Sequence, residues 1–424
     1  MGGSAIGSQV GRRSGSERAG GVAGSSIDAA ELLERGRRAG LAAVGITSAE
    51  IQQPARTVLH LRRSRGRAGT MQFTYRNPDR STDPRSVLPS ARSVVVGAWP
   101  YGHWTAGAGA DGPNRGRVAR YAWHDHYADL REALGAMAEP LREAGHKAVV
   151  VADTNGLVDR NAAWSAGLGW YGKNANLLVP DAGSWFVLGS VVTDADLDPT
   201  GPSLSDGCGP CTRCLDDCPT GAIVAPGVVD ATRCLAWLVQ ADGVFPHRWR
   251  AALGDRIYGC DDCQEVCPPN RVAGPAADAG DGGAGGSDTV AASEQVAVEL
   301  GWLLTAADDE ILDRHGRWYI ADRNVDNVRR SALIVLGNVG RPDDGGAVVL
   351  DLLTRHLGHD RPLLRAHALW AARRLGLEPH LSALAPSLAD DRDPLVQDEW
   401  RVEVEPRFQP GAWGALVDAV VGRA

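Results

Sequence analysis

Eight cysteines stand between Cys208 and Cys267, and the rest of the 424-residue chain has none. Cys208-x2-Cys211-x2-Cys214-x3-Cys218-Pro219 matches the run of two-cluster bacterial ferredoxins residue for residue. Two-residue gaps in a tight loop point three thiolates at one iron–sulfur cubane, while loop amides face the sulfurs. The fourth cysteine, a helical step further on, points toward a second cluster. Cys260-x2-Cys263-x3-Cys267-Pro268 repeats the pattern one member short, and Cys234 stands alone between the runs to complete it. The expected ligands of one [4Fe-4S] cluster are Cys208, Cys211, Cys214 and Cys267, and of the second Cys218, Cys234, Cys260 and Cys263. Structural zinc also takes paired Cys-x2-Cys knuckles, but it needs neither a third cysteine at the same gap nor the Cys-Pro exits.

The compartment bears on the same question. Arg12-Arg13 could open a twin-arginine leader, yet Ser14 to Ser26 is rich in Gly, Ser, Arg and Glu and offers no apolar stretch. No apolar run is long enough to span a bilayer. A cytoplasmic chain keeps its thiols reduced, so clustered cysteines there point to metal or catalysis and not to disulfides. Net charge is −8, which gives no general attraction to nucleic acid. Of 44 basic residues only Lys147 and Lys173 are lysines, a bias that reads as genome composition.

Clusters carry electrons but choose no reaction, so the elements around them matter. Residues 1–26 read as a disordered tail. Ile27, Ala30, Leu32 and Leu33 share one helical face, with Gly40 near its end. Ala42–Ile46, Ser93–Trp99, Lys147–Ala152 and Trp185–Val192 read as strands, and a long amphipathic helix runs from His124 to Ala144 and stops at Gly145. This alternation predicts an α/β domain over residues 27–203. A ferredoxin-like two-cluster domain follows over 204–271, then a Gly, Ala and Asp rich linker over 272–293. Residues 294–424 carry an internal echo: Val328–Leu333 returns at Leu364–Leu369, and Asp393–Trp400 looks like a degenerate third start. That pattern predicts all-α HEAT-like repeats, with a plain helical bundle as the alternative.

A sizeable domain ahead of the clusters favours an enzyme over an electron carrier. Asp153-Thr154-Asn155-Gly156 follows a predicted strand directly, where open α/β sheets place their chemistry. Ala166 to Asn174 comes next, with glycines that allow close backbone approach to a ligand and with Lys173 in an otherwise arginine-preferring chain. The plain readings are a helix cap for Asp153 and a surface ion pair for Asp159 with Arg160. No GxGxxG follows any predicted strand, which argues against a nicotinamide dinucleotide site.

Taken together, these residues resemble epoxyqueuosine reductase, the cobalamin-dependent iron–sulfur enzyme of tRNA queuosine synthesis. The likeness rests on Tyr75-Arg76-Asn77-Pro78, Asp83–Val94, Arg120-Tyr121-Ala122, the Asp153–Asn174 stretch and both cysteine sets with Tyr258–Gln264. It covers nearly the whole chain after residue 27. It implies deoxygenation of epoxyqueuosine to queuosine at the tRNA wobble position. Electrons from an external low-potential donor would pass through the clusters to a base-off cobalamin bound by the N-terminal domain, in a monomeric cytoplasmic protein. The family's proton-donating aspartate falls on Asp153, and its cobalamin-contacting arginine on Arg80, one residue further from Asp83-Pro84 than usual. The family's Asp-Tyr-His stands here as Asp125-His126-Tyr127, leaving His124 and His126 as ordinary helix-start residues. There is no D-x-H-x-x-G box for histidine ligation of cobalt, which suits an open lower face. Arg314–Arg330 and Arg361–Arg374 would supply a basic face for the anticodon stem-loop or serve as solvated helix surface. The rival readings are a dehalogenase-like corrinoid reductase and an electron-transfer partner without a substrate.

Overall fold

Four β-branched segments form the central sheet: β1 (Ala43–Ser48), β2 (Ser93–Pro100), β3 (Ala148–Ala152) and β4 (Phe186–Thr193), in the order β1-β2-β4-β3. The computed structural model describes residues 27–106, 112–201, 204–272, 290–291 and 293–421. The expected tail at 1–26 and most of the expected linker, 273–289 and 292, lie outside the described residues. Every neighbouring strand pair in this sheet is antiparallel. The sheet therefore has no switch point of the parallel kind, and the Asp153 loop leaves it from the end of an edge strand, β3.

Helices α1 (Ala29–Arg38) and α2 (His126–Glu143) cover one face through Leu32, Leu33, Leu130, Leu134, Met137 and Leu141. The other face carries Val94, Val96, Leu188 and Val192 and meets α3 (Asp159–Ser165) at Ala162 and Ala163, with Leu157 wedged before it. With both faces covered, β4 is buried at every residue, as its unbroken apolar run requires. Helix α2 begins where the Asp125 carboxylate accepts the Ala128 N–H at 3.0 Å, and the chain turns out at Gly145 with φ +88°. Gly97 and Gly189 sit opposite each other on β2 and β4. A Cβ at Gly189 would lie 2.8 Å from Leu134 Cδ1 and 3.0 Å from the Val151 carbonyl, so the bare backbone is what lets α2 approach.

The repeat echo falls on matching helices, α4 (Asp326–Val339) and α6 (Pro362–Arg374), with α5 (Gly346–Leu357) between them and α7 (Pro394–Arg401) at the third start. One apolar core runs from the cysteine segment into these helices, joining Leu235, Phe245, Leu253 and Tyr258 to Trp318, Leu333, Leu364 and Trp370. A small sheet strengthens this union, with Arg115–Val118 central, Arg256–Tyr258 parallel to it and Ala297–Glu299 antiparallel. Val290-Ala291, inside the expected linker, pairs with Thr105-Ala106.

Four arginines of the two stretches are occupied inside the protein. Arg330 is fully buried and donates to the carbonyls of Ala241, Gly243, Leu238 and Val239 at 2.8, 2.6, 3.2 and 3.1 Å. Arg329 meets Asp308 at 2.6 Å, Arg365 meets Asp391 at 2.6 Å, and Arg373 donates to the carbonyls of Glu399 and Val402. These four tie helices and loops together, because polar backbone left at helix ends and loops must find donors, while Arg314, Arg317, Arg323 and Arg361 are exposed.

Candidate active site and cluster cysteines

None of the eight cysteines is in a disulfide. The fold brings them into two neighbourhoods. Cys267 is pushed up to about 11 by burial, and Cys208, Cys214 and Cys211 are the thiols that add to its shift. Burial also raises Cys214, with Cys208 and Cys211 beside it. In the second neighbourhood burial raises Cys263, with Cys260, Cys234 and Cys218 around it, and Cys260 is pushed up to about 12 by burial and then by Asp262. These groupings coincide with the two ligand sets read from spacing.

Thiols held so far up stay protonated until a metal displaces their protons. Among the described residues no three His, Cys, Asp or Glu side chains converge to hold a single metal ion. A tetrahedral ion needs four donors on one point, whereas a cubane takes one thiolate at each of four separated corners. Backbone donors serve the sulfurs: the Ala222 N–H reaches Cys218 Sγ at 3.2 Å. The donor set fits two clusters. The second cysteine loop is pinned by a paired Arg256–Asp262 contact at 2.7 and 2.8 Å and by the Arg120 N–H donating to Asp261 at 2.7 Å. Asn270 extends this frame by accepting the Ser184 N–H at 2.6 Å.

Asp153 is the first residue after β3 and takes a left-handed backbone, φ +54°, uncommon for a residue other than glycine. It caps no helix, because α3 starts only at Asp159. Its side chain is open to solvent, yet burial raises its carboxyl above the ordinary range, more than the nearby Arg131 lowers it. Tyr171 has the same character: it is 37% exposed, yet burial pushes its phenol up to about 12. Asp159 is pushed up to about 7 by burial, and its Oδ1 has no hydrogen-bond partner, so the expected surface ion pair with Arg160 does not form. Trp170 Nε1 is likewise buried and unpartnered. Arg160, exposed, is the cation felt by Asp159, Tyr127, Tyr171 and, most weakly among its causes, Cys234 of the second cysteine set. The buried, unpartnered Asp159 Oδ1 and Trp170 Nε1 suit a large cofactor that carries many amide groups.

Arg80 lies in the short helix Pro78–Ser81 and is exposed; only its backbone is held, by Asn77 Oδ1 and the Ser86 hydroxyl. The segment it leads into touches the Asp153 loop, where Val87 would press on a Cβ at Gly156 at 3.2 Å. No contact joins Arg80 to Asp153 among the described residues. His124 pairs with Asp129 at 3.2 Å and stacks on Trp104, while His126, the first residue of α2, is fully buried against Tyr101.

Comparison with known proteins is decisive. The epoxyqueuosine reductase of Bacillus subtilis is 30% identical over 387 residues, spanning 88% of this chain and 94% of that protein. That of Xanthomonas campestris is 33% identical over 362 residues, spanning 82% and 96%. The chain belongs to the epoxyqueuosine reductase family. Family models agree along its length: Epoxyqueuosine reductase QueG, DUF1730, over residues 81–158, a 4Fe-4S double cluster binding domain over 207–270, and HEAT repeats over 319–401. A solved epoxyqueuosine reductase superposes with a TM-score of 0.76 at 30% identity, covering 88% of this chain and 96% of that one. Another, holding an epoxyqueuosine-modified tRNA-Tyr stem loop, superposes with a TM-score of 0.76 at 29% identity over the same shares. A Bacillus subtilis structure with its catalytic aspartate loop swung out of the active site gives 0.75 at 28% identity, again covering 88% and 96%.

Within this family frame, sequence reasoning passed over Arg160, Tyr127, Tyr171 and Tyr258. Asp159-Arg160 read as surface, and tyrosines at element edges read as packing. Only the fold brings them within electrostatic reach of Asp153 or Asp159; Tyr258, for example, is raised by burial, accepts the Tyr319 N–H at 2.7 Å and feels the Asp153 charge.

Proposed function

We propose that this chain carries out its family's reaction, reductive removal of the epoxide oxygen of epoxyqueuosine in tRNA to give queuosine, with Asp153 as the proton donor. The reaction takes up two electrons and two protons; both carbon–oxygen bonds of the epoxide break and the oxygen leaves as water. Cobalamin, when bound, supplies the low-valent cobalt nucleophile for the epoxide carbon, and the hard chemistry belongs to it.

The protein's part is to hold and deliver a proton. The observation that supports the reading is the Asp153 carboxyl, exposed at the end of β3 on a left-handed backbone yet raised by burial. Desolvation keeps its proton at a pH where a free carboxyl has lost it, so it can meet the oxygen as negative charge develops. Tyr127 and Tyr258, both raised by burial, stay neutral around it. Arg160 offers this site a fixed cation, and Arg80 an unpaired guanidinium on its approach.

Electrons would enter at Cys208, Cys211, Cys214 and Cys267, whose loop carries exposed Gly209, Pro210, Thr212 and Arg213. They would leave through Cys218, Cys234, Cys260 and Cys263, the set beside Arg160. The donor is an external low-potential carrier and the working unit a monomer in the cytoplasm. Among the described residues no helix is long and apolar enough to cross a membrane.

The test is anaerobic reconstitution with iron, sulfide and cobalamin, followed by epoxyqueuosine-containing tRNA and a strong reductant. Asp153→Ala should keep the cobalamin spectrum and lose about 10²–10⁴-fold in turnover, the worth of a positioned general acid. Undiminished queuosine formation by that variant would remove Asp153 from the role.

A further inference from the structure

Lys173 is one of only two lysines in an arginine-rich chain. It sits at the tip of a short hairpin in which Trp170–Tyr171 pairs antiparallel with Leu177–Leu178. Its ammonium donates to the Gly209 carbonyl at 2.6 Å and to the Cys211 carbonyl at 2.9 Å. Both carbonyls belong to the loop that carries Cys208, Cys211 and Cys214. The next residue, buried Asn174, donates from Nδ2 to the Cys263 carbonyl at 3.2 Å, while its Oδ1 accepts the Asn176 N–H at 3.1 Å. The tip is itself held, by Gly172 N–H to the Asn176 carbonyl at 2.8 Å and Gly227 N–H to the Lys173 carbonyl at 2.9 Å. Two consecutive side chains therefore grip the two cysteine loops, and only the first of them is charged.

We infer that Lys173 is a redox-tuning and positioning residue for the cluster bound by Cys208, Cys211, Cys214 and Cys267, an inference that rests on that ligand set. Each reduction adds one electron, taken from the external donor, to a cluster that four thiolates already make negative. A cation fixed against the ligand loop stabilises the reduced form more than the oxidised one and raises the potential. The ammonium is a compact point charge, and it is held here by two carbonyls of the ligand loop. Asn174 performs the uncharged half of the same task at the other loop, so it serves as the internal control for geometry without charge.

The experiment uses the full chain reconstituted with iron and sulfide, without cobalamin. Iron per chain is counted, and both cluster potentials are read by EPR-monitored potentiometry. Lys173→Gln should retain about eight irons per chain, the content of two [4Fe-4S] clusters. At a fixed poise, the reduced-to-oxidised ratio of one cluster should fall about tenfold, which is about 59 mV for a one-electron couple. Lys173→Arg, which keeps the charge, should restore most of that ratio, and Asn174→Ala should leave that cluster where it was. Unchanged potentials in Lys173→Gln overturn the inference. So does an equal shift in Lys173→Arg or Asn174→Ala, and so does loss of iron in Lys173→Gln, because the role would then be structural. A wild-type chain that binds fewer than two clusters would instead overturn the ligand assignment, whatever Lys173 does.

Discussion

A buried side chain and an accessible one can both be pushed off their ordinary ionisation, and the consequences differ. Asp153 is displaced while its side chain stays exposed, as the proposed proton donor requires. His126 is displaced at the start of α2 with no exposure, stacked 5.3 Å from Tyr101. Neither of its ring nitrogens has a hydrogen-bond partner, and burial lowers it to about 3, only the Arg120 backbone favouring the charged form. The unfolded imidazole takes its proton near pH 6.5. Neutral His126 therefore contributes stability that is present above pH 6.5 and lost as pH falls toward 3. His126→Phe keeps the ring and removes the titration. Urea midpoints should show the variant at least as stable as wild type at pH 7.5, and ahead of it by about 1–2 kcal/mol at pH 5. An unaltered pH dependence in the variant would show that His126 does not titrate with unfolding. That the cysteine segment binds two clusters was legible from residue types and spacing; that burial favours neutral His126 was not, because burial is a property of the fold.

At the scale of elements, local chemistry predicted well and pairing direction did not follow from it. The strands and α2 begin and end within a residue or two of their sequence signals, because caps, glycine stops and β-branched runs act locally. The antiparallel order β1-β2-β4-β3 depends on which runs meet across the sheet, and alternating strands and helices do not dictate it. The opposed glycines on β2 and β4 are a case in point. Each is where Leu134 of α2 presses on the sheet. Gly189→Val would drive a side chain into Leu134 and the Val151 carbonyl. Thermal unfolding should register a loss of about 1–3 kcal/mol, the usual cost of overpacking a filled core. A neutral result would mean that α2 can retreat from the sheet.

In the whole molecule, the stretches that read as separate domains share a core and a sheet. Arg330 is the sharpest instance. It stands in an arginine-rich helix that suggested a basic face, yet its guanidinium closes four carbonyls in the segment just after Cys234. Arg330→Leu leaves those acceptors buried without donors, and stability should fall by at least about 3 kcal/mol. Cys234-dependent cluster content should fall with it, as measured by iron per chain. Truncation after Gly274 is a harsher version of the same test. It would expose Leu235, Phe245, Leu253 and Tyr258, which now pack against the repeats. Such a chain should lose iron as well as any tRNA affinity; retention of both clusters would show that the repeats are not needed to complete the module.

Residue types and spacing alone determined the double-cluster character of the cysteine segment, the strand and helix segments and the repeat character of the C-terminal part. Each of these depends on chemistry within a few residues or on a pattern that survives in one dimension. The tertiary structure alone decided that Asp153, Asp159, Arg160, Tyr127 and Tyr258 come within electrostatic reach of one another, and that Arg329, Arg330, Arg365 and Arg373 are internal ties. It also decided that Lys173 reaches across to the first cysteine loop. Those facts follow from desolvation and from contacts between residues far apart in the chain, which only the folded backbone sets.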